Sequence, residues 1–128
     1  MITPEMLVKT GKWHHETATL GISANFKCEY CGLDFLESPE NYKLWQVDHI
    51  IPKRAGGTDA LNNKAVACRQ CNMDFKSKWN PVETTKTLSR EELIERVRAY
   101  IKYKKSITQK EIDHIKSMSP NRSVIPPS

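Results

Sequence analysis

Cys28-Glu29-Tyr30-Cys31 and, separated from it by 36 residues, Cys68-Arg69-Gln70-Cys71 are the stretches whose reading decides the fold. Two residues between thiolates let one turn aim both sulfurs at a single ion about 2.3 Å away, and two such knuckles complete a tetrahedral zinc site. The other use of four cysteines, a pair of disulfides, belongs to an oxidising compartment. The first residues lack the basic and apolar regions of a secretory signal. No apolar run approaches the ~20 residues that cross a bilayer. The protein is therefore expected to be cytoplasmic, with reduced cysteines, and Cys28, Cys31, Cys68 and Cys71 to hold structural Zn2+. With 128 residues, 38% hydrophobic and 27% charged, only one small core is expected. A staple suits such a chain, because short chains bury a smaller fraction of their surface than long ones.

Working outward from the knuckles, residues 25–80 read as one compact unit. Leu44-Trp45-Gln46-Val47-Asp48-His49 has the β-favouring composition of a strand, and a turn-rich stretch follows with Pro52 and Gly56-Gly57-Thr58-Asp59. Ala65-Val66-Ala67 is short and apolar enough to pair with that strand, and Cys68 to Trp79 has helical character, giving the order strand, strand, helix. Residues 1–24 form an N-terminal extension. Thr3-Pro4-Glu5 opens a helix to about Lys9 that stops at Gly11, while Trp13 to Ala24, interrupted by Gly21, shows no firm structure. Residues 81–118 form a helical extension in two pieces. Ser89-Arg90-Glu91-Glu92 is a capping box ahead of the stripe Leu93, Val97, Tyr100 and Ile101, and Thr108-Gln109-Lys110-Glu111 is a second box ahead of Ile112 and Ile115. Residues 119–128, with three prolines, read as a disordered tail.

Charge is unevenly spread. The chain has 20 Lys and Arg against 15 Asp and Glu, a formal +5. Residues 1–24 carry two of each sign, residues 25–80 carry eight basic and seven acidic residues, and residues 81–128 carry ten and six. Each neutralised phosphate releases counterions and adds salt-dependent affinity, so nucleic acid is the expected partner of the C-terminal third. The plainer reading is a solvated, lysine-rich helix.

Between the knuckles lie Val47-Asp48-His49-Ile50-Ile51-Pro52, Gly56-Gly57 and Leu61-Asn62-Asn63, and the second knuckle ends in Cys71-Asn72 with Lys76 close behind. Together, over roughly residues 26–79, this combination resembles the HNH endonucleases, the zinc-stapled branch of the ββα-metal (His-Me finger) nucleases. The resemblance implies an α+β fold, a small ββα-metal core stapled by a four-cysteine zinc site with flanking helices. It also implies metal-dependent hydrolysis of DNA, double-stranded in the first instance, to a 5′-phosphate and a 3′-hydroxyl. By the same resemblance His49 is the general base, Asp48 and Asn72 are ligands of a catalytic Mg2+ or Mn2+, and Asn63 holds the loop between the strands so that His49 is aimed. Many relatives carry His where this chain has Asn72, and a basic residue sooner than Lys76. The phosphate contacts are left among Arg69, Lys76 and Lys78.

The residue types fit that chemistry. Phosphodiester hydrolysis needs a base for water and a cation for developing negative charge. Histidine titrates near the working pH, and carboxylate and amide oxygens are hard ligands for a cation that keeps several waters. One constraint follows from pleating: neighbours Asp48 and His49 face opposite sides of a regular strand, so the strand must end or distort there for both to serve one phosphate, and diverging side chains would count against the mechanism. His14, His15 and His114 are expected to face solvent, and Trp13, Trp45 and Trp79 to pack in the core or against the knuckles. A zinc-stabilised nucleic-acid-binding module would use the same cysteines and basic helices without placing any demand on Asp48, His49 or Asn72. An RNA-directed nuclease is a third reading. Nothing in the sequence marks a sequence-reading element or an oligomeric state.

Overall fold

The computed structural model describes residues 1–83 and 85–119; the expected disordered tail lies, apart from Ser119, outside the described residues. Helix α1 (Pro4–Val8) begins where the sequence places it, with Thr3 Oγ1 accepting from the Met6 amide at 3.3 Å. Helix α2 (His15–Ser23) occupies the stretch whose periodicity indicated no firm structure. Gly21 is the reason. A Cβ there would stand 3.1 Å from the Trp13 ring and 3.3 Å from Phe26. The glycine interrupts the apolar pattern because aromatic rings fill its place. Trp13 meets Phe26 edge-on at 5.9 Å and stacks on Trp45 at 4.6 Å, which fastens α2 to the first strand.

A short helix α3 (Pro39–Tyr42), absent from the sequence reading, follows the first knuckle; Ser38 caps it, with Pro39 at its first position. Its Ser-Pro-Glu opening repeats the Thr-Pro-Glu signal of α1. Strands β1 (Trp45–His49) and β2 (Lys64–Cys68) form a two-stranded antiparallel sheet, registered Trp45 to Cys68 and His49 to Lys64. The connecting loop contains 3₁₀ turns at Lys53–Ala55 and Leu61–Asn63. After β2 comes a π-helix, Gln70–Lys76, closed by the Ser77 amide on Asn72 O at 2.9 Å. This is the strand, strand, helix order expected.

The C-terminal extension is one helix, α4 (Arg90–Met118), rather than two. Its start is the Ser89 capping box, with the Ser89 amide on Glu92 Oε1 at 3.0 Å and the Glu92 amide on Ser89 Oγ at 3.1 Å. The second box never forms, because Thr108 Oγ1 turns back to Lys104 O at 3.4 Å inside the continuing helix. Leu93, Ile94, Val97 and Ile101 are buried and share one apolar core with Leu20, Tyr30, Phe35, Ile50 and Val66. Tyr100 instead stacks on Trp79 at 4.1 Å. Arg90 donates to Glu29 Oε1 and Lys64 O, both at 2.9 Å, so the first turn of α4 is tied to the first knuckle and to β2. His14, His15 and His114 are exposed, as expected. No described helix is long and apolar enough to cross a membrane.

Candidate active site

The first knuckle is a tight turn in which the Gly32 amide donates to Cys28 O at 2.8 Å, with Gly32 at φ +82°. It docks on β2 through the Glu29 amide on Val66 O at 2.9 Å and the Val66 amide on Glu29 Oε2 at 2.8 Å. The second knuckle continues β2 into the π-helix. Together they bring the sulfurs of Cys28, Cys31, Cys68 and Cys71 within 4.8 Å of one another, all four as free thiols. The Cys31–Cys68 Sγ separation is 3.7 Å, close to the edge of about 3.8 Å of a tetrahedron with 2.3 Å bonds. Backbone amides of Cys68 and Cys71 point at Cys28 Sγ and Cys68 Sγ, at 3.2 and 3.4 Å, as thiolate ligands require. Hydrogen bonds from Cys28, and then from Cys68 and Cys71, hold Cys31 well below the usual thiol range, while the neighbouring sulfurs push Cys68 and Cys71 above it. The donor set fits Zn2+, and with four protein ligands it is a closed, structural site.

Asp48 lies on the face of β1 that packs on the π-helix and is 7% exposed. The Tyr30 hydroxyl, from inside the first knuckle, donates to Asp48 Oδ2 at 2.6 Å. Lys76 Nζ reaches the same oxygen at 3.2 Å and His49 O at 3.2 Å. Burial raises the Asp48 carboxyl above its ordinary range, and the Lys76 charge and the Tyr30 hydroxyl oppose that rise. Burial and the facing Asp48 carboxylate push the Tyr30 phenol far up, which keeps it a donor. Oδ2 is thus fully engaged. Oδ1 has no protein partner among the described residues.

Two residues earlier on the same face, Gln46 Oε1 accepts from Asn72 Nδ2 at 2.8 Å. That bond fixes the Asn72 amide, whose oxygen has no protein partner among the described residues. In a π-helix, with i→i+5 bonding, Asn72 and Lys76 lie about one turn apart, so the pairs Gln46–Asn72 and Asp48–Lys76 run along one seam. The residues Met73-Asp74-Phe75 that delay the basic residue after Asn72 are absorbed by this wider helix. Asp48 Oδ1 and Asn72 Oδ1 are oxygens of the hard type that could ligate a cation keeping most of its water.

β1 ends at His49: the Ile50 amide still keeps the register, on Asn63 O at 2.8 Å, but the Asn63 amide turns away to Ala60 O at 2.9 Å in its own 3₁₀ turn. The side chains of Asp48 and His49 nonetheless keep separate partners, the first inward and the second outward. His49 Nε2 lies 2.8 Å from Asp59 Oδ1, at the lip of the connecting loop. That loop is held by Asn63, which is 7% exposed. Its Nδ2 donates to Thr58 O at 2.9 Å and to Ile51 O at 3.1 Å, and its Oδ1 accepts from the Ile51 amide at 2.9 Å. Gly57 completes the turn, because a Cβ there would fall 1.8 Å from Ile51 O. Asp59 also bridges to Lys53 at 3.1 Å, and the hydrogen bonds with His49 and then with Lys53 hold its carboxyl below the ordinary value.

Of the three basic candidates, Arg69 and Lys78 are exposed, whereas Lys76 is 1% exposed with its ammonium committed to Asp48 and His49 O. Lys76 is scaffold, not a phosphate contact, because nothing outside the molecule reaches it. Arg54, which donates to Lys78 O at 3.3 Å, puts a further surface cation beside Lys78. Sequence reasoning missed Tyr30, Gln46, Arg54 and Asp59. For the last two a signal existed in Lys53-Arg54 and Gly57-Thr58-Asp59 beside the DHIIP run; Tyr30 and Gln46 show no signal without the packing.

Residues 28–77, from the first zinc-knuckle cysteine to the end of the π-helix, match the family model described as HNH endonuclease. No curated protein and no solved structure matches the chain.

Proposed function

With residues 28–77 an HNH-family segment, we propose that the protein is an endonuclease that hydrolyses phosphodiester bonds of double-stranded DNA, with His49 as general base. The observation that supports this best is that the segment matching the HNH endonuclease model carries His49 at the end of β1, next to Asp48. In an in-line displacement the attacking and leaving oxygens lie on opposite sides of phosphorus. The divergence of the Asp48 and His49 side chains counts against a shared phosphate unless the two groups act on these opposite sides, the base on the water's side and the seam on the other. Asp48 Oδ1 and Asn72 Oδ1 would hold a Mg2+ or Mn2+ ion, which when bound supplies Lewis-acid stabilisation of charge on the phosphate.

His49 takes the water proton on the ring nitrogen that does not face Asp59. Tyr30 and Lys76 hold Asp48 in place, and Asn63 holds the loop against β1. Arg69, Lys78 and Arg54 supply surface charge for the DNA backbone. The zinc knuckles take no part in the reaction and fix β1 relative to the π-helix.

The test is cleavage of supercoiled plasmid with Mg2+ or Mn2+, wild type against His49→Ala, with single-stranded DNA and RNA in parallel. Loss of rate by a factor of about 10²–10⁴ in the variant is expected. Equal activity in the two would sink the catalytic reading. One observation favours the non-catalytic zinc-stabilised nucleic-acid-binding module: the Lys76 ammonium already neutralises part of the Asp48 charge. That reading requires DNA retention with no cleavage by the wild type under any divalent cation.

A further inference from the structure

We infer that Asp59 is a positioning residue for His49, fixing which imidazole nitrogen carries the proton. The inference rests on the nuclease reading for its consequence and on geometry alone for its substance. An ionised carboxylate only accepts hydrogen bonds. Contact with Asp59 Oδ1 at 2.8 Å therefore makes Nε2 the donor in the neutral ring. Nδ1, which has no hydrogen-bond partner among the described residues, keeps its lone pair for a water proton.

The contact is built by the loop, although Asp59 itself is 63% exposed on its side chain. Thr58 O is held by Asn63 Nδ2 at 2.9 Å, one residue before Asp59. Gly57 lets the chain cross Ile51 O where any side chain would collide. Lys53 takes the second carboxylate oxygen at 3.1 Å, leaving Oδ1 aimed at the ring. Thus the Asn63 clamp, Gly57 and Lys53 all act on the position of one carboxylate, and through it on His49. Asn63 aims the histidine through Asp59.

The experiment is ¹⁵N NMR of the full-length, zinc-loaded protein without DNA or catalytic metal, at about pH 8.5, where imidazoles are neutral. It compares wild type, Asp59→Asn and Asp59→Glu. In the wild type the Nε2–H tautomer of His49 is expected to exceed the other by about tenfold, the weight of one charge-assisted hydrogen bond. Asp59→Asn, whose amide can donate as well as accept, should erase that preference, and Asp59→Glu should restore part of it. Plasmid cleavage by Asp59→Asn should fall about tenfold in kcat with KM within about twofold, the pattern of an interaction made at the reacting group. The same tautomer ratio in wild type and Asp59→Asn would overturn the inference, whatever the cleavage rates. A wild type that does not cleave would remove the nuclease reading, and the tautomer ratio would still decide the role of Asp59.

Discussion

Replacing Lys76 by Met should cost about 3–5 kcal/mol of stability, the range for breaking one side of a buried ion pair. The structure says why. The Lys76 and Asp48 side chains are 1% and 8% exposed, and Nζ stands 3.2 Å from Oδ2. At that distance, with an effective dielectric constant of about 20, the attraction is about 5 kcal/mol. Met fills similar space but leaves a buried carboxylate with the Tyr30 hydroxyl as its one remaining side-chain partner among the described residues. Urea titration followed by circular dichroism at fixed free zinc reads the loss directly. For a chain of this length the melting temperature should fall by about 12–20 °C. The Asp48→Asn, Lys76→Met double variant should recover at least about 2 kcal/mol relative to the sum of the single changes, because the stranded charge is then gone. A loss below about 1 kcal/mol for Lys76→Met, or strict additivity in the double variant, would refute the buried-pair argument.

Other expectations follow from the same structure. Metal analysis should find one zinc per chain, and Cys71→Ser should lose it together with the cooperative unfolding transition, since ligand and fold assemble together. Gly57→Ala should destabilise by at least about 2 kcal/mol, because its Cβ would overlap the Ile51 carbonyl; a variant with unchanged urea midpoint would contradict the crossing of the loop there. Glu92 is held below its ordinary value of 4.5 by its bond to the Ser89 amide. Its contribution is therefore present above that value and lost as pH falls through the lower folded one. The difference in melting temperature between wild type and Glu92→Gln should be full at about pH 6 and shrink towards about pH 3.

Much of the candidate site was legible because its residues are close in sequence to landmarks with fixed chemistry. The cysteine spacing dictates a shared ion, and the β-rich run ending in Asp48-His49 dictates a strand end. Asn63 makes three side-chain hydrogen bonds within the loop. The departures are of one kind. Gly21 reads as a helix breaker until Trp13 and Phe26 are seen to fill its place, and Thr108 reads as a cap until a longer helix absorbs it. Lys76 reads as a surface cation until the π-helix turns it inward on Asp48.

The sequence by itself determined the zinc knuckles, the strand, strand, helix order and the identity of the chemically capable residues, since these depend on spacing along the chain. Only the tertiary structure decided what each polar group faces. Lys76 against Asp48, Asn72 against Gln46 and Asp59 against His49 span 28, 26 and 10 residues. Such pairings are set by the packing of the π-helix and the loop on β1, and no local pattern encodes them.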